Sequence, residues 1–395
     1  MSTSIPSFTM LRQATVYAPE RLGKCDVLLA GGTIAAIGET LPKIDREFPV
    51  EEVDASELKM IPGLIDAHAH LTGGGGESGF STRVPRVFLS QFTRAGVTSV
   101  VGVLGADGTT RTVRDLVATT LGLREEGLSA WCYTGSYQIP VPTLTGSVRD
   151  DIVFVDPIIG VGELAISDHR SSQPTFDEFL RIASDAHAAG MITQKAGLLH
   201  LHLGDGARGL QLVQQALLEA ELPARVYHPT HVNRQKALFE EAQGLAKQGV
   251  TVDVTAFPDA DEGLLAHEAI ELWLSSDAPD DKITCSSDGG GCLPTFDEHG
   301  QMISMDVGRP ELITWTLASL LENGRSMEEV LPVFTTNVAK TMRLKNKGRI
   351  AASYDADIVC LDPNNKVQHV LCLGQWMVRN GETVRTGAFE QKENS

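Results

Sequence analysis

The stretch Pro62-Gly-Leu-Ile-Asp-Ala-His-Ala-His70, followed at once by Leu71-Thr-Gly-Gly-Gly-Gly-Glu77, decides the fold. An apolar run ends in His68-x-His70, and residues two apart on an extended strand point to one side. Both imidazoles therefore reach one place, and imidazole is the commonest protein ligand for zinc-like ions. The glycines Gly73 to Gly76 leave room for something to approach the backbone closely. A His-x-His pair alone is more often two ordinary histidines than a metal site. Its weight comes from the rest of the chain.

Downstream, short apolar runs alternate with stretches of helical spacing. The predicted strands are Leu64–His68, Val97–Leu104, Ala130–Thr134, Ile158–Glu163, Leu198–His202, Arg225–His231, Thr251–Ala256 and Lys282–Ser287. Between them, Arg111–Glu126, Phe176–Ala189, Gly209–Ala220 and Gln235–Gln248 carry apolar residues at helical spacing. Eight such units over roughly 280 residues read as a (β/α)8 barrel of the TIM type, rather than an open doubly wound sheet. The barrel is expected over residues 63–344.

Both ends of the chain read differently. Residues 1–62 hold alternating strands around Gly31-Gly32, and residues 345–395 hold more around Asn380-Gly381. Gly-Gly and Asn-Gly between such runs are hairpin signals. The two ends are expected to pair into one small β-sandwich domain outside the barrel.

Composition narrows the function classes. The formal charge of −18 argues against nucleic acid, whose phosphates call for Lys and Arg. No apolar run approaches the roughly 18 residues a membrane span needs. Met1-Ser-Thr-Ser-Ile-Pro6 lacks the basic-then-apolar pattern of a signal peptide. The six scattered cysteines form no CxxC and suit reduced thiols in a cytoplasm.

Catalytic groups of such barrels sit at the C-terminal ends of the strands. That is where the chemically capable residues fall: His68 and His70, Glu163, His202, His231 and Asp288. Four imidazoles and two carboxylates suit two divalent ions sharing a bridging carboxylate. His200 shares a strand face with His202, and either could be the ligand on that strand; His202 meets the Leu-Gly-Asp turn and is preferred. Arg170 and Arg234 read equally as rim ion pairs or as substrate contacts.

With these motifs the chain resembles the amidohydrolase superfamily, and within it the isoaspartyl (β-aspartyl) dipeptidases. The resemblance runs nearly end to end. It rests on Pro62-Gly-Leu-Ile-Asp66, the glycine run ending in Glu77, Ser167-Asp-His-Arg170, His202-Leu-Gly-Asp205, Pro229-Thr-His231-Val-Asn-Arg234 and Ser286-Ser-Asp288-Gly. It implies two zinc ions per subunit, other divalent metals being possible, bridged by Glu163 and a hydroxide. His68 and His70 would hold one ion and His202 and His231 the other. Asp288 would touch the first ion and shuttle the proton, and Tyr137 would polarise the carbonyl or oxyanion. Glu77 would bind the substrate amine, with Gly75 and positions 106 and 292 beside it, and Arg170 and Arg234 would bind its two carboxylates. A small dipeptide substrate and a homo-oligomer, often an octamer, are also implied.

Three residues depart from the family pattern. Glu163 stands where the familiar enzymes carry a carboxylated lysine, Cys292 where they carry serine, and Ala106 where they carry threonine. Glu supplies a permanent carboxylate on a shorter stem. These departures keep open a hydrolase of cyclic amides or N-acyl amino acids, or a deaminase. A third possibility is a barrel kept as a non-catalytic scaffold, against which the six intact candidate ligands argue.

Overall fold

The structure is a computed structural model that describes residues 8–44, 49–260, 263–296 and 302–390. The N-terminal hexapeptide lies outside those residues.

Eight parallel strands line the centre: β1 (Leu64–Ala69), β2 (Val97–Gly102), β3 (Ser129–Thr134), β4 (Ile158–Ser167), β5 (Leu199–Leu203), β6 (Tyr227–Thr230), β7 (Val252–Thr255) and β8 (Ile283–Ser286). Strands β1 to β6 form one continuous parallel ladder in chain order, and β7 pairs with β8. Side chains span the two joints between these sheets. At one joint Asp66 on β1 accepts from the backbone N–H and the hydroxyl of Ser287, at 3.1 and 2.5 Å. At the other, the Asn233 side chain donates to Thr255 O at 2.9 Å and accepts from Thr255 N at 2.8 Å. The strands are buried on both faces, as parallel strands under a helical layer must be.

Strand alternation sorts the interior. Leu199, Leu201 and Leu203 point outward into the main apolar core, and so do Val252, Val254, Ile283 and Cys285. The intervening His200, His202, Asp253, Thr255, Thr284 and Ser286 must then point inward. On the opposite side of the barrel, Ile65, Ala67, Val101 and Tyr133 join a second apolar cluster. One half of the interior is therefore polar and the other apolar.

The helices form because their apolar positions recur every three or four residues. Phe176–Thr193 buries Phe179, Ile182, Ala183, Ala186 and Ala189. Thr175 starts it with a capping box: its hydroxyl accepts from Glu178 N–H while the Glu178 carboxylate accepts from Thr175 N–H at 3.0 Å.

Both chain ends meet in one nine-stranded sheet. Lys59–Pro62 pairs antiparallel with Ile358–Leu361 and parallel with Phe8–Tyr17, which joins the ends. Alternation again divides the work. Met60, Ile358 and Cys360 face the small domain's own core, while Ile61, Val359 and Leu361 pack on the barrel. Asn380 and Gly381 both take positive φ, the mark of a type I′ hairpin turn. The strands Val50–Asp54 and Lys59–Pro62, and the hairpin Cys292–Phe296 with Met302–Val307, were not legible as separate elements in the sequence. Among the described residues, no helix is long and apolar enough to cross a membrane. All six cysteines are free thiols.

Candidate metal centre

The six candidate ligands converge. Glu163 is fully buried at the centre and divides its two oxygens between two histidine pairs. Oε1 lies 3.6 Å from His68 Nε2 and 3.4 Å from His70 Nε2. Oε2 lies 3.1 Å from His202 Nδ1 and 3.6 Å from His231 Nε2. Asp288 Oδ1 closes the first half, 3.4 Å from His68 Nε2 and 3.1 Å from His70 Nε2.

Local backbone makes this possible. Glu163 does not end its strand as expected; β4 continues to Ser167, so the carboxylate enters from mid-strand. Gly162 lies flush against β5, where an added Cβ would come within 2.6 Å of His200 Cβ. The Gly162–Glu163 peptide is cis. His231 and Asp288 leave their strands in the left-handed region, at φ 61° and 51°. Non-glycine residues rarely hold that conformation unless surrounding structure imposes it, and such sites cluster at functional centres.

The electrostatics call for added positive charge. Burial alone would push the His68 imidazolium down, but the carboxylates of Glu163 and Asp288 outweigh it and raise its pKa to about 9. Burial opposes ionisation of Glu163 too, yet His68, His202 and His231 hold it well below the usual carboxylate range. Burial likewise opposes ionisation of Asp288, and His68 and His70 pull it down. Four buried polar atoms of this centre lack a hydrogen-bond partner among the described residues: His68 Nε2, His70 Nδ1, Glu163 Oε1 and Asp288 Oδ1. Three of them face each other across the first half. Orphaned buried donors and acceptors are costly, and cations seated among them would remove that cost. Ligand atoms of His68, His70 and Glu163, of His68, His231 and Asp288, and of Glu163, His202 and His231 each lie within 4.8 Å of one another. The donor set fits divalent metal.

Around this centre lie the substrate candidates. The Tyr137 hydroxyl is 2.8 Å from His202 Nδ1, and burial, with Glu163 nearby, keeps its proton on. The Arg170 guanidinium packs over the Tyr137 ring, 5.4 Å from its centroid. Its NH1 donates to Glu77 at 3.2 Å, so the residue read for a substrate amine and one read for a substrate carboxylate touch each other. Cys292 sits against Gly75, whose added Cβ would be 3.4 Å from the Cys292 Cβ; burial pushes the thiol up to about 11. Ala106 follows Gly105, which is pressed on the His70 ring. Arg170 and Arg234 line one cavity of about 320 Å³, with Phe257, Leu293 and Met305 as its apolar wall. Arg234 stacks on Phe257, and its Nε has no hydrogen-bond partner among the described residues.

Three residues of this neighbourhood escaped the sequence reading. Asp168 accepts from Arg170 Nε and NH2 at 3.0 and 2.6 Å and lies 2.9 Å from His202 Nε2, fixing both. Its only signal was membership of the Ser-Asp-His-Arg motif. Arg111, expected to open a helix, is buried and donates to the carbonyls of Thr72, Gly74, Gly75 and Val84, holding the glycine loop in shape. Nothing in its sequence context separates it from a surface arginine. Thr255 bonds His231 Nδ1 at 2.7 Å. His200 is outside the ligand clusters; its Nε2 is 2.7 Å from His68 Nδ1, which makes His202 the ligand candidate on β5.

Comparison with known proteins shows the family. Residues 60–377 match the amidohydrolase family pattern. A crystal structure of β-aspartyl dipeptidase from Fervidobacterium islandicum AW-1, in complex with β-Asp-Leu dipeptide, superposes with a TM-score of 0.94 at 41% identity, covering 99% of this chain and 100% of that one. A second structure of the Fervidobacterium dipeptidase gives 0.90 at 40% identity, covering 97% and 100%. An allantoinase from Streptomyces avermitilis is 25% identical over 90% of this chain and 86% of its own length. The chain belongs to the amidohydrolase family of hydrolases, and within it resembles the β-aspartyl dipeptidases.

Proposed function

We propose that this protein hydrolyses the isopeptide bond of β-aspartyl dipeptides. The observation that carries the reading is the grouping of Glu77, Arg170 and Arg234 around the Glu163 centre. A β-aspartyl dipeptide has one free amine, two carboxylates and one amide. A carboxylate, two guanidinia and a hydrolytic centre complement those groups one by one. Guanidinium grips carboxylate through paired charge-assisted hydrogen bonds.

Divalent ions bound by His68, His70, Glu163, His202, His231 and Asp288, zinc by preference, would lower the pKa of a water and polarise the scissile carbonyl. The residues supply the rest. Asp288 Oδ1, without a hydrogen-bond partner and held ionised, accepts the proton of the attacking water and delivers it to the leaving nitrogen. Tyr137 keeps its proton and donates it in a hydrogen bond to the carbonyl oxygen as negative charge develops there. Glu77 anchors the substrate amine. Arg170, fixed by Asp168, orients one carboxylate, and Arg234 takes the other. Phe257, Leu293 and Met305 offer the leaving residue an apolar wall.

Activity on β-Asp-Leu, against α-Asp-Leu, N-acyl amino acids and a cyclic amide, tests this. Robust turnover of another amide with none of β-Asp-Leu overturns it and favours the cyclic-amide or N-acyl reading that Cys292 and Ala106 leave open. Subunits are expected to assemble as a homo-oligomer, which light scattering of the purified protein checks.

A further inference from the structure

Beneath the centre, the polar half of the barrel holds a continuous line of side chains. His68 Nδ1 is 2.7 Å from His200 Nε2. His200 Nδ1 is 2.9 Å from His228 Nδ1. His228 Nε2 is 3.3 Å from Thr284 Oγ1, which donates to Asp253 at 2.6 Å. Asp253 also receives the hydroxyls of Thr230 and Ser286, at 2.7 and 2.5 Å. All of these side chains are buried, on five different strands.

The line has one direction. Thr284 has a single hydroxyl proton, and the Asp253 carboxylate at 2.6 Å is nearer than Val252 O at 3.3 Å. Its oxygen must then accept from His228, so His228 carries its proton on Nε2. His228 Nδ1 is left bare and accepts from His200 Nδ1–H. His200 Nε2 is in turn bare and accepts from His68 Nδ1–H. With Nδ1 committed as donor, neutral His68 presents an Nε2 lone pair toward Glu163 Oε1 and Asp288 Oδ1. Beside two carboxylates that nitrogen carries a proton until a cation displaces it.

We propose that Asp253, Thr284, His228 and His200 are positioning residues that lock His68 as the Nδ1–H tautomer and raise its basicity toward the ion held with His70, Glu163 and Asp288. The proposal rests on the metal reading above. Hydrogen bonds behind a ligating histidine fix its tautomer and ring orientation, and losing such a partner typically costs about 10- to 100-fold in metal affinity. The other half of the centre has separate supports, Thr255 behind His231 and Asp168 behind His202, so the relay acts on one ion alone.

The test is Zn2+ affinity by competition with a chromogenic chelator, on full-length protein freed of metal. His200→Leu should weaken one of two Zn2+ equivalents by about 10- to 100-fold and leave the other near wild type. His200→Gln, which keeps an acceptor, should recover most of that loss. Thr284→Val should weaken the same equivalent by less, and Thr284→Ser should restore it. Wild-type affinity in His200→Leu or Thr284→Val, with two ions still bound by the parent, overturns the relay and leaves the metal reading standing. A parent that binds no Zn2+ overturns both. Where the variants fail to fold, 15N-histidine NMR of the unmodified protein decides. His200 as the Nδ1–H and His228 as the Nε2–H tautomer supports the relay, and either one reversed overturns it.

Discussion

Glu163 Oε2 lies 3.1 Å from His202 Nδ1, while the other oxygen of the same carboxylate faces the first pair of histidines. One short, fully buried side chain thus joins the two halves of the centre. Glu163→Gln keeps the shape and removes the charge. It should lower bound metal from two ions per chain toward one or none, read by elemental analysis. kcat/KM should fall by more than the roughly 10- to 100-fold typical of groups behind the ligands. Because the carboxylate is permanent, wild-type activity should not respond to bicarbonate added to CO2-free buffer; a clear rise would contradict the bridging role.

Tyr137 keeps its proton through burial and touches the second half of the centre. Tyr137→Phe should reduce kcat by about 100- to 1000-fold, the usual effect of removing one oxyanion donor. KM and metal content should stay near wild type. A loss of metal with the loss of rate would instead make the hydroxyl a support for His202.

Arg234 lines the cavity beyond the centre, and its buried Nε has no hydrogen-bond partner among the described residues. Arg234→Met should raise KM for β-Asp-Leu roughly 10- to 100-fold, as loss of a charged hydrogen bond worth about 1.5–3 kcal/mol implies, with a smaller change in kcat. The wild-type enzyme should lose similarly on the leucine-amide form of the substrate, and the variant should lose little more. Additive losses would place the carboxylate elsewhere.

Lys347 is buried where the small domain meets the barrel, donating to Asp357 at 2.5 Å and to Ser129 at 2.6 Å, with Asp355 at 2.8 Å. Lys347→Met leaves the Asp357 carboxylate buried without its cation. Breaking such a pair costs about 3–5 kcal/mol, so chemical denaturation should show a large loss of stability. Lys347→Met with Asp357→Leu should recover part of it.

Asp26 supplies a pH signature in the small domain. Burial would raise its pKa, but hydrogen bonds from Leu41 N–H, Gln13 and Arg12 outweigh this and lower it from 3.8 to about 2. A depressed folded-state pKa contributes stability that is full above the unfolded value and is lost as pH falls through the folded one. The window is therefore pH 4 down to about 2, worth about 2 kcal/mol at neutral pH. Asp26→Asn should lower Tm at pH 7, and its gap to wild type should narrow as pH falls through that window.

Much of this molecule is legible in its order of residues. The eight strands, the pairing of both ends, and His68, His70, Glu163, His202, His231 and Asp288 follow from local patterns, because strand alternation and turn chemistry act over a few residues. Asp168, Arg111 and Asp253 are different. Each is one polar residue among many until the fold brings it beside a partner far along the chain. Arg111 reaches Gly74, and Asp253 reaches Thr284 and, through the buried histidines, His68.

The sequence by itself determined that this chain closes a barrel, sets two histidine pairs and Asp288 at its strand ends, and places Glu163 on the fourth strand. Period-two alternation and the glycine run fix those outcomes locally. Only the tertiary structure decided that Glu163 enters from mid-strand to face both pairs, and that His200, on the same strand as His202, turns to His68 instead. Only it decided that β5 to β8 turn a polar face inward beneath the centre. These depend on the register between strands and on which atom of a ring meets which neighbour, and no local pattern of residues encodes them.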